Sequence, residues 1–288
     1  MIYILIPVHN RLKKTINCIK SVIKQKNCEK LKIIIVNDGS TDGTSKYIKK
    51  NFPKVVVLEG SGSLYWGGAI NLGVKYIKKN SNKNDWLLII NNDVELAPES
   101  VSELIKLSKL YKRKVLVGGL SINSDDKKTV IKSGTIVKSW FLNKTKHVYE
   151  GLNIFNLRDK SPINVDFLTG RCLLHPVEVF SKTNNYDSKT FKHYGGDDEF
   201  SMRVKKYDYL TLLCPNSINY LKSNVLKKSN RNFFKNFFYI FFNIRSSSNI
   251  YNKFNLTLKV VPFYAKPSFF LIGILKSMYI FFRNEIKY

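Results

Sequence analysis

The sequence predicts an α/β fold: a mostly parallel sheet with helices on both faces, followed by a helical C-terminal extension. Three observations predict it. Continuous apolar runs at Ile2–Val8, residues 31–36, residues 55–58 and Trp86–Ile90 suit strands buried on both faces. Between these runs, apolar residues recur at the three- and four-residue spacing of helices packed on a sheet. Beyond about residue 227 the composition shifts to a basic segment dense in Phe and Tyr.

In chain order, Ile2–Val8 is a central strand, and Leu12, Ile16, Ile19 and Ile23 mark the helix after it. The second strand, 31–36, ends in residues 37–44, a cluster of turn and capping types. Tyr47 and Ile48 belong to a short helix that stops before Pro53, and a third strand spans 55–58. Residues 69–79 read as a helix and Trp86–Ile90 as a fourth strand. Pro98 and Glu99 open another helix, because proline fits a first turn and an acid complements the helix dipole. This alternation argues for parallel strands with crossover helices. After about Val115 the pattern turns to short strands, at 129–138 and 165–168, with helices beginning near Pro176 and near Asp198. The reading divides the chain into a domain over 1–226, with halves at 1–114 and 115–226, and a tail over 227–288.

At 288 residues and 44% hydrophobic, the chain can bury a sizeable core. Cys18, Cys28, Cys172 and Cys214 are scattered and form no CxxC pair, which argues against a zinc site and against a disulfide framework. The apolar start is short, has no basic segment before it and runs into Pro7, so it reads as a strand rather than a secretory leader. A cytoplasmic protein is expected. The net charge of +27 demands an anionic partner. After Asp208 the only acid is Glu285. Basic residues interleaved with aromatics at one end of the chain point to an anionic membrane surface. RNA binding is the rival, but no RNP-like, KH-like or helix-turn-helix pattern is present, so no nucleic-acid partner is expected.

In open α/β sheets, ligands bind beyond the carboxyl ends of the strands. Here four strand ends are polar or small: residues 7–10, 38–40, 60–62 and 91–93. Four in order are the layout of a nucleotide site. Asp38 can accept hydrogen bonds from a base or ribose, or close a plain Asx turn. GxGxxG and GxxxxGK[ST] are both missing, which sets aside dinucleotide and P-loop readings. Asp93, beside two carboxamides at a strand end, offers oxygen ligation to Mg²⁺ or Mn²⁺, or caps the next turn. Asp197, Asp198 and Glu199 follow two glycines. Three adjacent acids repel one another unless a helix N-terminus, a cation or a catalytic task stabilises them.

The segments PVHNR (7–11), VNDGSTDGT (36–44), NND (91–93) and GDDEFSMR (196–203) together resemble family 2 glycosyltransferases of the GT-A fold, a Rossmann-like arrangement. LYWGGAINLG (64–73) looks like the donor-side loop and helix of the rhamnosyltransferase-like branch, and FLTG (167–170) is similar to the acceptor-side strand. The resemblance covers about residues 1–213. It implies that 1–114 binds a nucleotide sugar, UDP- or dTDP-linked, and that 115–226 binds the acceptor. Asp38, Pro7, His9, Arg11, Gly68, Asn71, Asn91 and Asn92 would line the donor pocket. Asp93 matches the last acid of the family's DxD-type motif and would hold Mn²⁺ or Mg²⁺; Asn91 replaces the first acid. In register with Arg203, Asp197 matches the catalytic base, with Asp198 next in line, while Gly196 stands where the family carries Glu. Thr169 and Gly170 fall on the acceptor side. His193 would reach the diphosphate or the acceptor, or simply satisfy its loop. The implied reaction is direct displacement with inversion, onto a glycan or lipid-linked glycan, in capsule, O-antigen or other surface polysaccharide synthesis.

A nucleotidyltransferase would share the sheet, the acids and the metal, but should carry a Gly-rich, Arg/Lys-bearing loop near the N-terminus that is missing here. A carbohydrate-binding module would not need Asp93 and Asp197 together. Trp66 and Trp140 suit sugar faces, Trp86 suits the core and His175 a structural role. In the tail, residues 232–245 and 268–283 are aromatic runs. Neither supplies about 20 uninterrupted apolar residues for a spanning helix, with Lys276 breaking the second and Pro267 blocking its extension. They are expected to lie peripherally on the inner face of the plasma membrane, or to pack on the domain or on a second copy in a homodimer.

Overall fold

The computed structural model describes residues 1–28, 30–157, 161–222 and 232–286. The expected domain–tail boundary at 226/227 lies outside these residues. The elements are β1 (Ile2–Val8), α1 (Leu12–Ile23), β2 (Leu31–Asn37), α2 (Thr44–Asn51), β3 (Val56–Glu59), α3 (Tyr65–Asn80), β4 (Trp86–Ile90), β5 (Val94–Leu96) and α4 (Ser100–Leu110). There follow β6 (Val115–Asn123), β7 (Val130–Lys132), β8 (Thr135–Ser139), β9 (Lys144–His147), β10 (Ile163–Asn164), β11 (Cys172–Pro176), α5 (Val179–Thr183), α6 (Gly196–Lys205) and β12 (Leu210–Leu221). The tail forms α7 (Phe233–Phe242), α8 (Ile250–Val260) and α9 (Lys266–Ile286).

One sheet runs in the order β10-β12-β6-β11-β4-β1-β2-β3, with β5 on β12 and β7 on β6. The pairs β1/β2, β1/β4, β2/β3 and β6/β12 are parallel. Ile4, opposite both Ile33 and Leu88, sits at the centre, with no exposed surface. Both faces are covered. α3, α5 and α6 pack one face through Ile70, Val74, Phe180 and Phe200. α1, α2 and α4 cover the other through Ile19, Ile48 and Leu104. This is the α/β arrangement the sequence predicts, and the sheet continues unbroken across residue 114.

Several local expectations change. On α1 the buried stripe is Thr15, Cys18, Ile19 and Val22, while Ile23 is 60% exposed. The contact face is rotated by one position, because Thr15 and Cys18 are small enough to let helix and sheet approach. Pro176 closes β11 instead of opening a helix, which begins at Val179. Residues 165–168 are not a regular strand; Phe167 makes one bridge, to Thr135. β11 is antiparallel to both neighbours, with Cys172 opposite Ile90 and Leu173 opposite Gly118. That inversion brings residues 169–171 beside the end of β4.

The two aromatic runs form α7 and α9. α8, between them, escapes a search for apolar runs because Asn and Lys interrupt it. Phe281 of α9 is the hub: Phe233, Phe237 and Phe241 of α7 place their rings 5.3, 5.6 and 6.1 Å from it. The tail lies on the α/β domain. Asn143, in the β8–β9 turn, donates its amide to the Phe269 carbonyl at 2.9 Å and accepts from Lys276. Lys259 of α8 pairs with Asp187. A short 3₁₀ turn runs straight into α9, and the helical stretch Phe263–Arg283, at a mean hydropathy of 1.3, is long and apolar enough to cross a membrane by length and composition. Pro267 does not block it, because a proline in a first turn forfeits only an N–H that has no helical partner.

Removing the hub side chain should loosen α7 selectively. Phe281→Ala is expected to destabilise the α7–α9 pair by about 3 kcal/mol. Hydrogen exchange should then accelerate in the α7 amides and stay unchanged in β1 and β4.

Candidate active site

The rim at the ends of β1, β2 and β3 is built around Asp38. Its Oδ1 accepts the Gly62 N–H at 2.7 Å and its Oδ2 accepts the Tyr65 N–H at 2.9 Å, and the residue is 5% exposed. Asp38 thus folds the β3–α3 loop over the rim. Gly39 and Gly62 are needed for this closure: a Cβ on Gly39, whose φ is +66°, would stand 2.6 Å from the Gly62 Cα. His9 Nδ1 lies 2.6 Å from the Asp38 carbonyl oxygen, and Asn10 bonds the next loop through the Ser40 hydroxyl and the Thr41 N–H. Asp42 accepts the Leu12 N–H at the start of α1. The left-handed backbone of Asn10 and Arg11, with φ of 59° and 66°, swings these side chains across the rim. Pro7 lies half-buried just before them.

The end of β4 supplies the second part. Asn92 is buried and donates to the Thr15 hydroxyl at 3.1 Å, locking α1 to the strand end. Asn91 Oδ1 accepts the Trp66 indole N–H at 3.0 Å. Asp93 Oδ2 lies 3.4 Å from Arg11 Nη1, while its Oδ1 is buried with no hydrogen-bond partner among the described residues. An unpartnered carboxylate oxygen fits a divalent cation whose other ligands come mainly from a phosphorylated substrate. Among the described residues no group of three or more His, Cys, Asp or Glu could hold a metal by itself.

From Trp66 the contacts continue into the part of the chain beyond residue 114. The indole lies against Gly170, where a Cβ would come within 2.3 Å of the ring. The Gly170 N–H donates to Asp197 Oδ2 at 2.9 Å. Leu168 N–H donates to the Ser201 hydroxyl, which donates to the Asp197 carbonyl, so α6 is pinned to residues 168–170. Thr169 lies half-buried between these anchors. The structure therefore joins Asn91, Trp66, Gly170 and Asp197 in one chain of contacts.

The three acids at the start of α6 have three environments. Glu199 is buried and held by the Nε and Nη2 donors of one edge of the Arg203 guanidinium, at 2.8 and 2.9 Å. Asp197 accepts from Gly170, and burial raises its pKa above the ordinary carboxylate range. Burial also raises Asp198, and the neighbouring Asp197 charge adds to that shift. His175 is fully buried with its pKa pushed down to about 3 by burial, and Nε2 faces the Tyr186 hydroxyl at 2.9 Å. Trp86 is core, its indole donating to Ser108. Trp140 packs on Phe269 of the tail.

Other predicted positions sit further out. Asn71 donates its amide to the Tyr186 carbonyl and the Ser188 hydroxyl and lines a cleft of about 460 Å³ with Leu72, Lys75, Lys78, Lys79 and Asn185. None of the residues lining that cleft is an acid. Gly68 lies on the same helix, close under Leu64. His193 Nδ1 is buried without a partner, and its ring stands edge-on to Tyr65 at 6.3 Å. Sequence reasoning passed over Tyr65, Asn10 and Asp42. The two polar residues lie in turn-rich segments where each looks like ordinary loop chemistry, and Tyr65 reaches the rim through its backbone N–H, which any residue type carries.

Known proteins are similar to this chain in sequence and in fold. Residues 3–183, more than half of the chain, match the family described as glycosyl transferase family 2. An N-acetylglucosaminyl-diphospho-decaprenol L-rhamnosyltransferase of Mycobacterium tuberculosis is 23% identical over 202 residues, covering 64% of this chain and 64% of that protein, just under two thirds of the relative's length. An uncharacterized glycosyltransferase of Mycoplasma pneumoniae is 34% identical over 86 residues, covering 28% of this chain and 26% of its own. Among solved structures, GalNAc-T7 with UDP, GalNAc and Mn²⁺ superposes with a TM-score of 0.60 at 15% identity, over 97% of this chain and 56% of that one. A mannosyltransferase of Pyrobaculum calidifontis with GDP-Man and Mn²⁺ gives 0.57 at 12%, over 95% and 68%. These structural likenesses establish the GT-A fold.

The carboxyl pair gives a pH signature. A raised carboxyl pKa means that the folded chain binds more protons than the unfolded one. The pair's contribution to stability is then complete below the unfolded value of about 4 and is lost as pH rises through the folded values. Denaturant unfolding of Asp198→Asn between pH 4 and 9 should show a flatter decline than the parent chain, and an identical decline would exclude titration of the pair in that range.

Proposed function

The chain belongs to glycosyl transferase family 2, and from that membership we propose that it moves a sugar from a nucleoside-diphosphate donor to an acceptor hydroxyl, with inversion at the anomeric carbon. The observation that carries this reading is the contact chain Asn91–Trp66–Gly170–Asp197, which ties the strand-end rim to a half-buried carboxylate pair. In the proposed reaction Asp197, lifted in pKa by burial, takes the proton of the acceptor hydroxyl. The freed oxygen attacks the anomeric carbon on the face opposite the diphosphate, and the C–O bond to the diphosphate breaks. With one base and no enzyme nucleophile, configuration inverts. Gly170 N–H holds the Asp197 carboxylate in orientation while Trp66 closes the sugar space. Asp93 would hold Mn²⁺ or Mg²⁺ jointly with the donor phosphates, and such an ion supplies positive charge against the leaving diphosphate.

UDP- or dTDP-linked sugars are the proposed donors. The Mycobacterium relative's name specifies a rhamnosyl donor and a diphosphoprenol-linked acceptor, which supports a deoxyhexose donor and a lipid-linked glycan acceptor here, in surface polysaccharide assembly. The tail fits that acceptor. It exposes Phe234 at 72% and Phe263 at 83%, with Phe238, Tyr251, Leu271, Leu275 and Tyr279 also exposed. Interspersed lysines and arginines complement anionic head groups. The proposal is therefore a peripheral enzyme on the cytoplasmic face of a membrane, with the tail seated on the catalytic domain by one side and on lipid by the other.

Two experiments test this. In a donor-hydrolysis and transfer assay across nucleotide sugars, Asp93→Ala should abolish turnover, and Asp197→Asn should lower it by about two to four powers of ten while nucleotide binding persists. Full activity of Asp93→Ala in excess EDTA would overturn the metal role, and an inactive Asp198→Asn beside an active Asp197→Asn would move the base by one residue. In vesicle flotation, the full chain should bind anionic liposomes with salt-sensitive affinity. Phe234→Glu combined with Phe263→Glu should weaken binding by about tenfold or more. Equal binding by this variant would exclude the tail as the anchor.

A further inference from the structure

The segment between α7 and α8 carries Arg245 to the donor rim. Its guanidinium lies 5.8 Å over the ring of Tyr65, whose backbone N–H is one of the two donors to Asp38. The same ring faces His193, on the loop that leads into α6. Tyr65 adopts a left-handed backbone, φ 54°, unusual for a bulky residue and paid for by its bond to Asp38. Arg245 itself is held by a rigid turn. Its N–H donates to Asn243 Oδ1 at 2.8 Å, and Ser246 N–H and the buried Asn249 amide both donate to the Asn243 carbonyl. Three parts of the chain, the donor half, the loop before α6 and the tail, therefore meet at Tyr65.

What they assemble is a corner that gathers cationic groups beside Asp38 and Asp93. Arg245 and Arg11 both act on His193 and, with burial, keep its ring below the usual histidine pKa. The buried Nδ1 of His193 has no partner. Arg11 shares one long contact with Asp93, and Arg245 has no ion pair among the described residues. A turn that fixes an arginine over Tyr65, near an imidazole that also feels Arg11, at the mouth of the strand-end rim, has the donor set of a diphosphate site. Arginine suits that task, since its planar fork bonds phosphate oxygens in pairs.

We propose that Arg245 is a ligand for the donor diphosphate, contributed by the tail to the catalytic domain, so that the site is complete only when the tail is seated. This rests on the donor reading above and adds to it a second role for the tail, independent of lipid.

The test uses the full-length chain without lipid and calorimetric titration with UDP and dTDP, each against its own nucleoside, in the presence of Mn²⁺. The parent chain should bind a nucleoside diphosphate more tightly than the nucleoside. Arg245→Ala should weaken diphosphate binding by about tenfold, the scale of one lost charge-assisted bond, and leave nucleoside binding unchanged. Arg245→Lys should recover part of the loss. Equal diphosphate binding by Arg245→Ala and the parent would overturn the role of Arg245 while sparing the donor reading. So would an equal loss for nucleoside and diphosphate, which would mark Arg245 as a packing residue of the tail. A parent chain that binds neither diphosphate would overturn the donor reading itself, and the inference with it.

Discussion

The antiparallel seam between β4 and β11 is the constraint on which the remaining architecture turns. Strands β3, β2, β1 and β4 run in one direction, and their carboxyl ends form the rim. Were β11 parallel to them, residues 169–171 would enter at the opposite edge of the sheet. Because it is reversed, with Cys172 facing Ile90, the residues just before β11 arrive beside those just after β4. Gly170 then reaches both the Trp66 ring and the Asp197 carboxylate. One reversal of direction thus sets the backbone of residues 169–171 against the end of β4.

The electrostatics of α6 follow from the same seam. Three consecutive acids in one helical turn could not share a single environment without strong repulsion. The fold separates them. Glu199 turns inward to a two-point pair with Arg203, Asp197 turns toward the seam and the Gly170 N–H, and Asp198 has no cation at hydrogen-bonding distance among the described residues. The helix N-terminus offers all three a favourable dipole. Burial works against that dipole for Asp197 and Asp198 and leaves both more basic than a surface carboxylate, the direction a proton acceptor needs.

Much of this was legible in the sequence, for a definite reason. Apolar runs of five to seven residues ending in Asp, Asn or Gly announce buried strands and a polar rim, so Asp38 and Asp93 stand out by position, while Asp197 is singled out by a resemblance in register with Arg203. Their partners do not stand out. The donors to Asp38 are the backbone N–H groups of Gly62 and Tyr65, and a backbone donor leaves no mark in residue identity. The direction of β11 is equally silent, because a short apolar strand reads the same either way. Asn71 and Asn92 drew attention as polar residues near the rim, yet each spends its amide on holding elements together. Arg245 lies far along the chain in a segment whose composition suggests lipid, and only the folded structure brings it to Tyr65. Pro267 looked like a barrier because a run was read without its helical register.

The seam also has a consequence in time. β4 is made by residue 90, but the strand that covers its free edge begins at residue 172. As the chain leaves the ribosome, the four parallel strands of the first third can pair among themselves, while β4 keeps an open row of backbone donors and acceptors on its outer side. Some eighty residues must emerge before β11 closes it. Contacts of such high sequence separation are slow to form, and an uncovered apolar edge invites pairing with another chain. The first 114 residues are therefore not a self-sufficient unit. Nascent chains halted before β11 would be clients for chaperones, and the late arrival of one short strand sets the pace at which the whole molecule becomes safe from aggregation.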